Sequence, residues 1–273
     1  MGQTDVMQPI RAVVRPKALA IACLVVLGAA GWTYLALALA GVGGATPFEV
    51  LCRPMFGTSD ITVTQSVLLL AMWCAMTFAM MLPTAAPMIL TYVDIAETAA
   101  AKGETVAQPL VLTAGYVAVW LGAAVLLAGL QIALVRLSLL DPAMRSASPL
   151  FSGAMFIAAG AYQFSALKHA CVTQCQRPLP FFFARWTTEP RGVFRLGLQQ
   201  GLNCLGCCWA MMLLMFAGGV MNVVWMAVLG AAMTIEKIGV TTRFSRALGV
   251  IFISAGAFFI ATSVAAHWPA RAG

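Results

Sequence analysis

The segment at residues 201–216, GLNCLGCCWAMMLLMF, concentrates sulfur-bearing side chains. On a helix, Cys204, Cys207 and Cys208 share one face, because positions i, i+3 and i+4 are neighbours. Met211 continues that face by one further turn. Soft thiolate and thioether ligands select Cu(I), zinc or iron–sulfur clusters over hard cations. The thioethers favour Cu(I), because zinc sites use cysteine, histidine and carboxylate ligands. The alternative is that these residues are apolar packing in a helix.

A second group of possible ligands lies in SALKHACVTQC, residues 165–175. Cys171 and Cys175 are one turn apart if this segment is helical. His169 adds an imidazole, which suits copper and zinc. We predict that these three residues contribute to the same metal site as the 201–216 cysteines. The alternative for His169 is a residue that simply lies at the level of the lipid headgroups.

Glu236, in the sequence TIEKIG, is an acid at the end of an apolar stretch. An ionisable group inside a membrane segment is a functional hypothesis by default. It could orient His169 as an outer partner, or it could be a hard oxygen ligand. At the boundary of the membrane it could also be merely solvated.

Methionines recur along residues 72–89, MWCAMTFAMMLPTAAPMI. Met72, Met76 and Met80 are spaced by four residues and therefore line one helical face. Thioethers are weak, exchangeable ligands, so this pattern predicts a ladder along which Cu(I) could pass. The alternative is that methionine fills the core of a helical bundle.

The composition places most of the chain in lipid. Of 273 residues, 62% are hydrophobic and 9% are charged, whereas a soluble domain carries about 25% charged residues. We predict an all-α, polytopic helical membrane bundle of about seven transmembrane helices, or six if 197–217 and 220–235 are partly re-entrant. The predicted spans are 18–41, 64–94, 109–138, 149–170, 197–217, 220–235 and 246–266.

The chain divides simply into domains. Residues 1–16 are polar and basic and predict a disordered tail, and residues 17–273 predict a single transmembrane helical domain. The stretch 18–41 follows basic residues as a signal peptide would, but it exceeds the roughly 7–15 apolar residues of a signal core. We therefore expect a retained anchor, with cleavage as the alternative.

Basic residues predict the orientation of the bundle. With a cytoplasmic N-terminus, twelve of the sixteen lysines and arginines lie on the cytoplasmic side, which agrees with the positive-inside rule. The prediction is a multi-pass protein of the inner (plasma) membrane. In this arrangement Cys171 and Cys175 leave the membrane where the span 197–217 enters it. The thiols of both segments should therefore meet near the inner leaflet.

Several other functions are disfavoured. The net charge of +7 is explained by contact with anionic headgroups. The sequence contains no basic run with interleaved aromatic residues, which is the pattern that would indicate binding to nucleic acid. There is no nucleotide-binding glycine loop and no Ser/His/Asp set, which favours a binding protein over an enzyme. Haem is disfavoured because His169 and His267 lie at opposite faces of the predicted membrane.

Four sequence blocks carry a family resemblance: AMMLPTAAPMI, GAYQFSALKHACVTQCQRPLPFF, RLGLQQGLNCLGCCWAMMLLMFAGGVMNVVWMA and the dipeptide EK. Together they resemble the DUF2182 family of predicted metal-binding integral membrane proteins, over roughly residues 65–255. The resemblance implies metal binding and a role in copper handling. The residues that fall in the family's motif blocks are Met80, Met81, Pro83, Lys168, Cys171, Cys175, Cys204, Cys207, Cys208, Met211 and Glu236.

Three functional hypotheses follow. The first is a Cu(I)-binding membrane protein for copper handling, delivery or assembly of a copper-dependent membrane or secreted enzyme. The second is a thiol–disulfide redox protein, since Cys204 and Cys207 have the Cys-x-x-Cys spacing and Cys171 or Cys175 could relay electrons. The third is a scaffold whose helices are held by a structural zinc ion bound to four cysteines.

Overall fold

The computed structural model describes residues 22, 25–26, 28–29, 32–33, 63–140, 146–220, 222–239 and 242–267. Over this part of the chain the structure is helical, apart from one isolated bridge between Leu140 and Ser146. The predicted all-helical class is therefore confirmed. The ten helices that we number are α1 Val63–Thr84, α2 Ala86–Ala101, α3 Pro109–Arg136, α4 Pro149–Tyr162, α5 Ala166–Gln176, α6 Pro178–Ala184, α7 Pro190–Leu213, α8 Met215–Gly218, α9 Val223–Ile238 and α10 Thr242–His267.

Four helical segments in the described part of the chain are long and apolar enough to cross a membrane. They are α1, α3, α7 with α8, and α10. A fifth is present if α4 and α5, which are bent by 64° at their junction, form one broken span. The predicted span 18–41 and the tail 1–16 lie almost wholly outside the described residues. The count of seven spans and the orientation of the bundle remain predictions.

Two predicted spans are broken, each for a local reason. The span 64–94 is divided after Thr84, where Pro83 and Pro87 remove backbone donors. The span 149–170 ends at Tyr162, and a new helix begins after Ser165. The hydroxyl of Ser165 accepts a hydrogen bond of 3.1 Å from the Lys168 amide, which caps the first turn of α5 in its new direction.

Glycines let the central helices approach closely. At the crossing of α3 and α7, a Cβ on Gly197 would overlap the carbonyl oxygen of Leu112, and a Cβ on Gly115 would overlap that of Phe194. Small residues at helix crossings are the usual means of close packing in membranes. Helix α5 then packs against α7, and an added Cβ on Gly206 would lie 2.7 Å from Cys171 Sγ. Glycine spacing on α7 therefore positions α3 and α5 on either side of the cysteine segment.

Candidate metal centre

Four thiols from two helices come together inside the bundle. Cys204, Cys207 and Cys208 on α7 are 3%, 1% and 0% exposed. Cys175, in the last turn of α5, lies within hydrogen-bonding reach of the thiols of Cys204 and Cys207. The sulfurs of Cys207 and Cys208 are 3.3 Å apart. We call Cys175, Cys204, Cys207 and Cys208 the thiol cluster.

Cys204 is the member of the thiol cluster with the most polar surroundings. The ammonium of Lys237, on α9, donates to Cys204 Sγ at 2.9 Å. The hydroxyl of Tyr116, on α3, lies 3.0 Å from the same sulfur. Thiolates are stabilised by a neighbouring lysine. Of the four sulfurs, this one is in hydrogen-bonding contact with a lysine and a tyrosine.

A small cavity adjoins the thiol cluster. Its volume is about 20 Å³, and its lining includes Cys175, Cys204, Lys237, Tyr116 and Gln200. Roughly 10–15 Å³ is enough to hold one water molecule, so the cavity can take a single small guest. The side-chain Nε2 of Gln200 is buried and has no hydrogen-bond partner among the described residues. An unmet buried donor is uncommon, which also points to a guest in this space.

A buried ion pair holds α5 and α9 beside the thiol cluster. Lys168 Nζ and Glu236 Oε2 are 2.6 Å apart, and their side chains are 0% and 1% exposed. Lys168 Nζ also donates to the backbone carbonyl of Cys207 at 2.8 Å. The partner of Glu236 in the structure is Lys168, whereas the sequence suggested His169, a metal ion or solvent. The pair connects three helices at the level of the cysteines.

The other predicted ligands lie outside the thiol cluster, on α1, α5 and α7. Cys171 is half-buried against Gly206, and His169 is half-buried one residue after Lys168. Met211 is fully buried one turn beyond Cys207 and Cys208. Met76 and Met80 are buried on α1. A Cβ on Gly230 of α9 would lie 3.3 Å from Met80 Cε, so this methionine faces α9.

The thiol cluster is not arranged as a closed metal cage. Among the described residues, no three His, Cys, Asp or Glu side chains are placed to hold one ion. The contacts give the physical reason, because the sulfurs are engaged with one another and with Lys237. A metal ion would have to replace these hydrogen bonds. The donors that the thiol cluster offers are soft sulfur atoms.

Sequence reasoning missed the polar residues that surround Cys204. Lys237 stands next to Glu236 in the sequence, but only the orientation of α9 brings its ammonium to the sulfur. Tyr116 is the only tyrosine of its apolar helix, and buried tyrosines usually find a hydrogen-bond partner. A tyrosine in an otherwise apolar helix could therefore have predicted a buried polar contact, but it could not have identified Cys204 as the partner. Gln200 precedes Cys204 by one turn and carried a similar signal.

Comparison with known proteins adds one finding. Residues 70–259 match the model of the PpoB2 family, described as a copper chaperone. The match contains all of the thiol cluster, Lys168, Glu236 and Lys237. It confirms the expected copper-related family, whereas the DUF2182 label remains a prediction. No curated protein and no solved structure matches the chain.

Proposed function

The chain belongs to the PpoB2 copper chaperone family, and we propose that it carries Cu(I) in the inner membrane on the thiolates of Cys175 and Cys204. Cys207, which is within hydrogen-bonding reach of both, is the nearest further sulfur to which the ion can pass. Copper is here the cargo of the protein. Its recipient is a copper-dependent membrane or secreted enzyme.

The observation that carries this proposal is the convergence of thiols from α5 and α7 on one cavity of about 20 Å³. Two of the lining residues, Cys175 and Cys204, come from different helices. Soft sulfur donors select Cu(I) over hard cations. Cu(I) is stable with two sulfur ligands, whereas structural zinc takes four ligands in a tetrahedron. The cavity has room for one small ion, and no tetrahedral cage is present among the described residues.

The remaining predicted ligands receive supporting roles in this proposal. Cys207 and Cys208 offer the next sulfurs for stepwise exchange, which allows the ion to leave without passing through a ligand-free state. Glu236 acts through Lys168, by fixing α5 against α9. Half-buried Cys171 and His169 mark the entry from the cytoplasm, where thiols are kept reduced. Met211, Met80 and Met76 provide thioethers deeper in the bundle.

A Cu(I) competition titration tests the proposal. The full chain, purified in detergent without oxygen, is titrated against the chromophoric chelator bicinchoninate. We expect one tightly held ion in the native protein and an affinity at least about tenfold lower in Cys175→Ser and in Cys204→Ser. Cys74→Ser is the matched control, because Cys74 is a half-buried cysteine of α1 outside the thiol cluster. Native affinity in both cluster variants would contradict the proposal.

A thiol–disulfide function is the second candidate, and the reach of the Cys175 thiol on α5 to Cys204 and Cys207 on α7 favours it. The two functions differ in their response to potential. A copper carrier keeps its thiol count constant across physiological redox potentials, whereas a redox protein loses and regains two thiols. Thiol counting on the metal-free chain in glutathione buffers therefore separates them. A structural zinc clamp would instead appear as zinc that co-purifies and whose removal unfolds the protein.

A further inference from the structure

Lys237 is a buried cation beside the thiol cluster. The residue is 6% exposed, and among the described residues no carboxylate forms an ion pair with it. The neighbouring charges, Lys168 and Glu236, neutralise each other at 2.6 Å. A buried charge without compensation is costly. The compensation for Lys237 must therefore come from the groups that its ammonium touches.

The three contacts of Lys237 Nζ suit an ammonium. It lies 2.8 Å from Thr84 Oγ1, 2.9 Å from Cys204 Sγ and 3.6 Å from Met81 Sδ. The Thr84 hydroxyl donates its own proton to the Met81 carbonyl at 2.8 Å, so it can only accept from Lys237. The Met81 thioether has no proton to give. An ammonium has three donors, and here each one meets an acceptor.

The sulfur of Cys204 is the only acidic group in contact with that ammonium in the described part of the chain. The Tyr116 hydroxyl, which donates to the Met81 carbonyl at 3.1 Å, lies 3.0 Å from the same sulfur, and the thiols of Cys175 and Cys208 also interact with it. A cysteine sulfur next to a lysine ammonium is stabilised as a thiolate. Lys237 and Cys204 thus form the second balanced charge pair of this region.

We propose that Lys237 is the fixed counter-ion of the metal site and makes it selective for a monovalent soft ion over a divalent ion of the same geometry. This inference rests on the proposed function. A monovalent ion held by two thiolates carries one net negative charge, which Lys237 neutralises. A divalent ion held by the same two thiolates is neutral, and Lys237 then leaves one uncompensated positive charge. In a buried site such a difference is poorly screened.

Ag(I) and Hg(II) provide the test, because both accept two thiolates and they differ by one charge. The measured quantity is the equilibrium constant for replacement of bound Ag(I) by Hg(II). It is determined by intact-mass spectrometry on the full chain in detergent, with excess dithiothreitol present as a competing ligand. Cys23, Cys52 and Cys74 are replaced by serine so that the exchange reports on the cluster side of the protein. Lys237→Met should shift the exchange at least about tenfold toward Hg(II). Lys237→Arg, which keeps the charge, should stay near the native value.

The outcomes are distinguishable. If Lys237→Met and Lys237→Arg weaken both metals equally and leave the exchange constant unchanged, Lys237 only packs and the inference is overturned. If Lys237→Met does not fold, the native protein is compared with free dithiothreitol in water. The preference for Ag(I) over Hg(II) must then be at least about tenfold larger in the native site than in dithiothreitol. Failure of the proposed function has a different signature, since the native chain would then bind neither Cu(I) nor Ag(I) at Cys204. That result would remove this inference as well.

Discussion

The ammonium of Lys168 and the carboxylate of Glu236 lie 2.6 Å apart inside the protein and join α5 to α9. Lys168 also reaches the Cys207 carbonyl on α7. One lysine therefore fixes the relative positions of the three helices that carry Cys175, the α7 cysteines and Lys237. The second carboxylate oxygen of Glu236, Oε1, is buried and has no hydrogen-bond partner in the described structure. The Glu236 side chain is therefore held mainly by its contact with Lys168.

Removal of one partner of this pair should be far more harmful than removal of both. Glu236→Gln leaves Lys168 as a buried, uncompensated charge, which costs about 3–5 kcal/mol. The double variant Lys168→Met, Glu236→Gln removes both charges and should recover much of that loss. Thermal unfolding in detergent, followed by circular dichroism, measures both. Equal losses in the single and double variants would show that the pair is not electrostatically important.

The crossing of α3 and α7 should not tolerate a methyl group. A Cβ at Gly197 would overlap the backbone of α3, and backbone cannot rotate away as a side chain can. We expect Gly197→Ala to destabilise the protein by at least about 3 kcal/mol. Gly122→Ala on α3 is the control, because nothing lies within 4 Å of its added Cβ. It should be neutral or slightly stabilising, since alanine is the better helix former. Similar unfolding temperatures for the two variants would contradict this packing.

The contact between Gly206 and Cys171 can be tested with a compensating pair. An added Cβ at Gly206 would be 2.7 Å from Cys171 Sγ and 3.6 Å from Cys171 Cβ. Gly206→Ala should therefore cost about 1–3 kcal/mol, and the added change Cys171→Ala should relieve most of it by removing the sulfur. A double-mutant cycle on unfolding free energies gives the coupling. A coupling near zero would place α5 elsewhere.

The hydroxyl of Tyr116 should matter for metal binding. Tyr116→Phe removes the hydroxyl that lies 3.0 Å from Cys204 Sγ and donates to the Met81 carbonyl at 3.1 Å, and a typical hydrogen bond contributes about 0.5–1.5 kcal/mol. Cu(I) affinity should fall by about threefold to tenfold in the chelator competition. Tyr92→Phe is the matched control, since the Tyr92 hydroxyl donates to the Ala107 carbonyl at 2.8 Å. Equal affinity in both variants would exclude a role for Tyr116.

The cysteine convergence and the helical class could be predicted from sequence, whereas the polar surroundings could not. Lysine and arginine counts alone placed Cys175 and Cys204 at one level of the predicted membrane, and the structure brings these residues together. Hydropathy does not report the direction of a helix, so it could not show the bend of 64° after Tyr162. The partner of Glu236 and the contact of Lys237 depend on how α9 is rotated. Periodicity could not determine that rotation, because α9 is apolar nearly all round.

The central claim is that Cu(I) is held by thiolates from α5 and α7. X-ray absorption at the copper edge, on the copper-loaded full chain, tests it most directly. The account predicts a shell of two or three sulfurs in the native protein, which loses a sulfur in Cys175→Ser and in Cys204→Ser and is unchanged in Cys74→Ser. A shell of nitrogen and oxygen, or a sulfur shell that both cluster variants leave intact, would contradict it.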